Sequence, residues 1–219
     1  MSAALAALVL AASTAPATAI EGVVELTAQG RALRPEAARE AVVYFRPREP
    51  EPVTVPAEPV QMRTRDKQFE PRVLAVPVGA TVRFPNMDPI LHNVFSPAGR
   101  NGFDLGLLAG GTVAEQTFAE PGLVRVFCNV HHDMVAYVLV LDTPHVTRPD
   151  AQGRFRLELP TDSRGDLYVW HERARVWRRA IVATPQDPLK VRMELDRPRV
   201  PRHMNKFGRP YGDGTGKRY

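Results

Sequence analysis

The chain has 219 residues, a formal charge of +5 at neutral pH, 21 prolines and a single cysteine. One cysteine excludes an internal disulfide framework, and past the amino terminus no apolar run is long enough to cross a bilayer as a helix. The charge is uneven: residues 197–219 carry seven Lys or Arg against one acid, so the basicity belongs to that end and the rest of the chain is close to neutral.

Residues 1–12 (MSAALAALVLAA) are apolar and helix-favouring but too short to span a bilayer, and the A-x-A run 17–19 follows them. This is the pattern of a secretory signal cleaved after Ala19, although no Lys or Arg precedes the apolar run. A buried amino-terminal helix is the alternative. Export to the periplasm with one cysteine requires a thiol that is buried, bound or reactive. Beyond the signal, helical periodicity is poor. Short runs of Val, Leu, Phe and Tyr alternate with Gly, Pro and Asp turns, which predicts an all-β sandwich. The first strands are 22–26 (GVVEL) and 41–45 (AVVYF), with 37–40 read as loop, and the Pro- and Glu-rich segment 46–59 is an extended connector. Four further strand-like runs close the body at 153–160, 167–171, 176–182 and 189–195. The tail, residues 197–219, is rich in Pro and Gly without apolar periodicity and reads as disordered. Its charge fits solubility, an acidic redox partner or contact with an anionic membrane surface. Nothing beyond charge points to nucleic acid, and export argues against it.

The chemistry concentrates in 126–134 (VFCNVHHDM), where Cys128, His131 and Met134 stand at the spacing Cys-x-x-His-x-x-Met. A second imidazole, His92, lies upstream in 91–95 (LHNVF). Two imidazoles, one thiolate and a weak axial thioether form the ligand set of a type 1 blue-copper site, in which soft sulfur holds Cu(I) and imidazole suits both oxidation states. Taken singly, the cysteine reads as a small buried apolar residue, each histidine as a core or surface side chain, and Met134 as core. Zinc is the competing metal, but its structural sites do not use thioethers. His132 is the ambiguous neighbour: two adjacent imidazoles on a short loop rarely reach one ion.

The segment from 68 to 141 resembles the cupredoxins, the small blue-copper proteins. The runs 69–84 (FEPRVLAVPVGATVRF) and 134–140 (MVAYVLV) look like family strands, and the short Cys-to-Met loop is most similar to the amicyanin branch. The look of the chain, including 103–106 (FDLG), is also similar to methylamine utilization protein-like proteins; no methylamine pathway follows from that. The resemblance implies a Greek-key β-sandwich holding one type 1 copper ion. It assigns His92, Cys128, His131 and Met134 as ligands, with Asn93 beside the first ligand tying the two ligand loops together. It further implies that His131 is the electron port, inside an apolar collar of Pro89, Ile90, Leu91 and Val130. Phe95 and Phe127 are expected to pack beneath the metal.

The flanking strands resemble, more weakly, a carboxypeptidase-regulatory-like or transthyretin-like β-sandwich. The expected division is therefore signal 1–19, amino-terminal strands 20–58 paired with carboxy-terminal strands 146–196, a cupredoxin domain 59–145 inserted between them, and the tail 197–219. Flanks that merely extend the cupredoxin sheets are the alternative. The functional reading is a periplasmic single-electron carrier serving a protein redox partner, not an enzyme, because no substrate bond needs to change. A copper store or sensor, or a non-redox adhesion sandwich, are the competing classes. Oligomeric state and the identity of donor and acceptor are not encoded in any motif.

Overall fold

A computed structural model describes residues 16–97 and 99–211. Residues 1–15 of the expected signal lie outside the described residues, as do residues 212–219 of the tail. The amino-terminal flank supplies β1 (Ala17–Ala28), β2 (Arg31–Ala32) and β3 (Val42–Pro47). The middle supplies β4 (Val60–Gln61), β5 (Arg63–Arg65), β6 (Gln68–Glu70), β7 (Val73–Pro77), β8 (Thr81–Pro85), β9 (His92–Ser96), β10 (Phe103–Leu108), β11 (Val113–Thr117), β12 (Gly122–Phe127) and β13 (Val135–Leu141). The carboxy-terminal flank adds β14 (Val146–Thr147), β15 (Arg154–Pro160), β16 (Arg164–Trp170), β17 (Trp177–Val182) and β18 (Leu189–Glu194). The expected loop over 37–40 is instead part of a 3-10 turn, Pro35–Glu40, because Pro35 at its start presets a helical φ and Ala38 is buried.

The strands form an all-β stack of four main sheets. The flank strands pair with one another: β1 runs antiparallel to β15 and parallel to β18, while β3 pairs with β14 and β16, and β16 with β17. Their period-two alternation turns Ile20, Val24 and Leu26 of β1, with Leu157, Leu159, Val191 and Met193, onto Phe45, Leu167 and Val169 of the facing sheet. Gly165 is required there, since a Cβ would fall 2.2 Å from the Arg46 carbonyl and 2.7 Å from the Phe45 ring.

The central sandwich packs the sheet β10-β9-β12-β13-β7 on the sheet β11-β8-β4. Its core includes Met62, Val82, Phe84, Val94, Phe118, Val124, Val126 and Val138. The two sandwiches are joined by a third apolar layer. Val42 and Tyr44 of β3 and Trp170 of β16 meet Phe95, Phe127, Tyr137, Leu139 and Leu141 from the outer face of the central sheet. All seven residues of β13 are consequently buried, as in a strand covered on both faces.

Two polar features sit at this junction. Arg72 and Glu172 pair across it with little exposure, 10% and 2% of their side chains. His171 is also buried, and its Nδ1 accepts the Arg173 backbone N–H at 3.1 Å. Burial, assisted by the charge of Arg173, pushes the His171 imidazole down to about 4. The unfolded ring takes its proton near pH 6.5, so the unfolded chain binds the extra proton between those values. Stability is therefore complete above about pH 6.5 and declines as pH falls towards 4, by on the order of 3 kcal/mol from this group. Urea unfolding of His171→Asn is expected to show a shallower loss than the parent over that window. Parallel profiles would mean that the ring is not held neutral.

Residues 197–211 of the tail form no strand or helix, yet they make spaced contacts with the body. Val200 packs on the junction layer, and the Arg72 guanidinium donates to the Arg199 carbonyl. The His203 ring stacks on Phe127 with 4.1 Å between centroids, and Tyr211 covers His132 at 3.5 Å. Lys206 donates its backbone N–H to Asn129 Oδ1 and its ammonium to Asp104. The anchors are isolated apolar and aromatic side chains, which an averaged composition does not register.

Candidate metal centre

The ligand loop begins where β12 ends. Phe127 is the last residue paired to β13, opposite Val135, and the chain between them turns through 128–134. The Cys128 N–H donates to the Met134 carbonyl at 3.3 Å and the Met134 N–H to the His131 carbonyl at 3.1 Å. These bonds close the loop so that both sulfur-bearing side chains enter the same core, and both are fully buried. His92 opens β9, the neighbour of β12, and is fully buried as well.

Three ligand atoms converge. His92 Nδ1 and His131 Nδ1 are 3.1 Å apart, and Cys128 Sγ lies 3.8 Å from the first and 3.9 Å from the second. The described residues contain this one His/Cys/Asp/Glu cluster able to hold a metal ion. The separations suit three donors facing a common centre at ordinary metal–nitrogen and metal–sulfur distances. One thiolate with two imidazoles beside a buried thioether matches copper better than zinc. His132 points elsewhere: it is exposed and its ring meets Tyr211. Burial pulls the His131 imidazole below its ordinary pKa, helped by the nearby His92, which favours the neutral ring that a metal requires.

The second nitrogen of His92 has a partner that the sequence reading did not identify. Asp88 Oδ2 lies 2.8 Å from His92 Nε2, leaving Nδ1 for the metal. Asp88 is itself gripped: Oδ1 accepts the Asp66 N–H at 2.7 Å and Oδ2 the Lys67 N–H at 2.9 Å. Both donors sit in the β5–β6 turn with φ of 51° and 56°, a left-handed pair that aims successive N–H groups at one carboxylate. Burial pushes the Asp88 carboxyl up, but these N–H groups and His92 outweigh it and hold it below the usual range. Asn86 supports the same loop, donating to the carbonyls of Ile90 at 2.8 Å and Leu108 at 3.0 Å. The carboxylate-to-imidazole spacing of four residues was the available signal.

Two expectations are corrected. Asn93 does not tie the ligand loops together; its amide donates to Asp104 Oδ1 at 2.8 Å and the Gly106 carbonyl at 2.6 Å, both on β10. It follows His92 by one residue on a strand and so faces the opposite way. The same alternation removes Phe95 and Phe127 from beneath the site. They pack on each other, 5.9 Å between centroids, in the layer between the sandwiches. Phe84, Val94, Leu108, Phe118 and Val126 share the core of Cys128 and Met134 instead. Pro89, Ile90, Leu91 and Val130 are exposed on the ligand-bearing loops, joined by Met87 and Leu107, at 55% and 60% exposure. These apolar side chains are exposed on segments beside His92 and His131, and His131 is itself half-buried.

No family model and no curated protein matches the chain. Solved structures similar to part of it are cupredoxins and a relative. A purple cupredoxin from Nitrosopumilus maritimus is 28% identical over 37% of this chain and 99% of its own, with a TM-score of 0.34. A reduced amicyanin variant is 24% identical over 45% of this chain and 98% of its own, with a TM-score of 0.37. A copper-containing nitrite reductase from Thermus scotoductus is 24% identical over 53% of this chain but only 28% of its own, with a TM-score of 0.38.

Proposed function

We propose that the protein is an exported, periplasmic carrier of single electrons with one type 1 copper ion held by His92, Cys128, His131 and Met134. The observation that carries this reading is the convergence of two Nδ1 atoms and one Sγ within 3.9 Å at the end of a rigid sandwich, with Met134 fully buried beside them. Copper bound there would exchange one electron between its two oxidation states.

The chain's own part is to hold and insulate. Asp88 fixes the tautomer and plane of His92, and the paired turn N–H groups fix Asp88. The fully buried core around Cys128 excludes water and keeps the thiolate from oxidation. The backbone bonds that close the loop tie Cys128, His131 and Met134 into one turn, which would limit rearrangement of these ligands if copper held there changed oxidation state. The half-buried His131, with exposed apolar residues on the ligand-bearing loops, offers the route to a docked partner. A protein partner with an acidic face fits the excess of basic residues in 197–219.

Adding Cu(II) to the metal-free protein should produce an intense visible thiolate-to-copper band, and voltammetry should show a reversible one-electron couple. Absence of the band would defeat the copper assignment. A band without a reversible couple would favour storage or sensing. Met134→Gln is expected to keep the band and shift the potential, because the axial ligand tunes the two oxidation states more than it anchors the ion. Loss of copper as complete as that caused by removing the thiolate would make Met134 a strong ligand and overturn the trigonal picture.

A further inference from the structure

Between the outer face of the β12–β13 pair and the tail lies a cavity of about 260 Å³. Its floor is aromatic. Tyr137 and Trp170, each 4% exposed, meet edge to face with 5.6 Å between centroids. Three exposed arginines from two distant parts of the chain line it, Arg125 on β12 and Arg197 and Arg202 on the tail. None of the three has an acidic partner among the described residues. The one acid at the cavity, Glu172, already accepts two bonds from Arg72, at 2.7 and 3.0 Å. Three arginines without an acidic partner among the described residues thus line one recess with an aromatic floor.

Such convergence of like charges is unfavourable without a counter-charge. We propose that the cavity binds a small oxyanion, of the size of phosphate or a compact carboxylate, which bridges Arg125 on the sheet to Arg197 and Arg202 on the tail. Guanidinium forks match the paired oxygens of such anions. The volume is below that of sites for drug-sized molecules, so it admits an oxyanion and not a long chain. Binding there has a consequence at the metal end. The tail that carries Arg197 and Arg202 also places His203 on Phe127, Tyr211 on His132 and the Lys206 N–H on Asn129. The anion therefore staples the strap that covers the Cys128 loop, and by linkage a docked strap raises affinity for the anion.

The test uses the full metal-free chain, so its outcome is independent of the copper reading. Calorimetric titrations with inorganic phosphate, malonate and chloride are run at constant ionic strength, with limited trypsin digestion at Arg202 and Lys206 in parallel. Saturable binding of phosphate or malonate but not chloride is expected, together with slower cleavage of the tail. Arg125→Gln should weaken binding about tenfold or more, the loss of one charge-assisted contact. Its unfolding without phosphate should be no easier than the parent's, since Arg125 is exposed, makes no ion pair among the described residues and contributes one of the like charges. Equal responses to chloride, unaltered binding by Arg125→Gln, or binding that leaves tail cleavage unchanged would each overturn the proposal.

Discussion

Replacing Cys128 with serine is expected to abolish the visible charge-transfer band and to weaken copper binding by more than roughly a hundredfold, the upper end of what loss of a mere outer-shell partner costs. The thiolate is the soft, covalent donor of the set, and a serine hydroxyl does not ionise at neutral pH to replace it. The fold should survive. The side chain is small, and removing its sulfur leaves the surrounding layer of Phe84, Val94, Phe118 and Val126 in place. Asp88→Asn provides a graded comparison. It leaves all four proposed ligands intact but removes the charge that orients His92 across 2.8 Å. Binding should fall about ten- to a hundredfold while the band persists. Absorption and competition with a chelator read both variants. A band retained in Cys128→Ser would sink the site assignment, and a band lost in Asp88→Asn would show that His92 leaves the site without the carboxylate's charge, contrary to the graded loss expected.

The largest effect on stability is expected from Arg72→Met. Arg72 lies just before β7 of the central sandwich, and Glu172 follows β16 of the flanking one, so the pair bridges the two bodies at 2.7 Å. The same guanidinium donates to the Val135 carbonyl at 3.0 Å and to the Arg199 carbonyl on the tail. Burial already pushes the Glu172 carboxyl up, and the charge and hydrogen bonds of Arg72 oppose that push. Without Arg72 the carboxylate is buried and alone, a situation that costs about 3–5 kcal/mol. For a chain of this length that corresponds to a fall in melting temperature on the order of 10 °C. The double variant Arg72→Met/Glu172→Leu should recover most of the loss, because an apolar pair of similar volume replaces the ions without a stranded charge. Thermal unfolding of the set checks the cycle. A single variant within about 1 kcal/mol of the parent would show that the pair is hydrated and not structural.

The candidate ligand types and the strand-rich character were legible from residues alone because their signals are local. Cys128, His131 and Met134 fall on one seven-residue loop, and alternation in 153–160 or 189–195 needs only a strand's own period to be read. Four consequences of three-dimensional placement were not legible. Asp88 became the partner of His92 only when the turn at Asp66 and Lys67 aimed two N–H groups at it. Phe95 and Phe127, next to ligands in sequence, face away from them because a strand reverses its side chains at every step. The flanks meet as their resemblance implied, but no short-range pattern specifies that β1 runs parallel to β18 with Gly22 opposite Leu189. The tail, basic and irregular by composition, is held by a few spaced contacts at Val200, His203, Lys206 and Tyr211. Residue chemistry and local periodicity thus determined what the chain could bind and which segments are strands. Tertiary structure alone decided which strands meet, which face each side chain takes and which charge stands beside which ligand, because those depend on contacts between residues far apart in sequence.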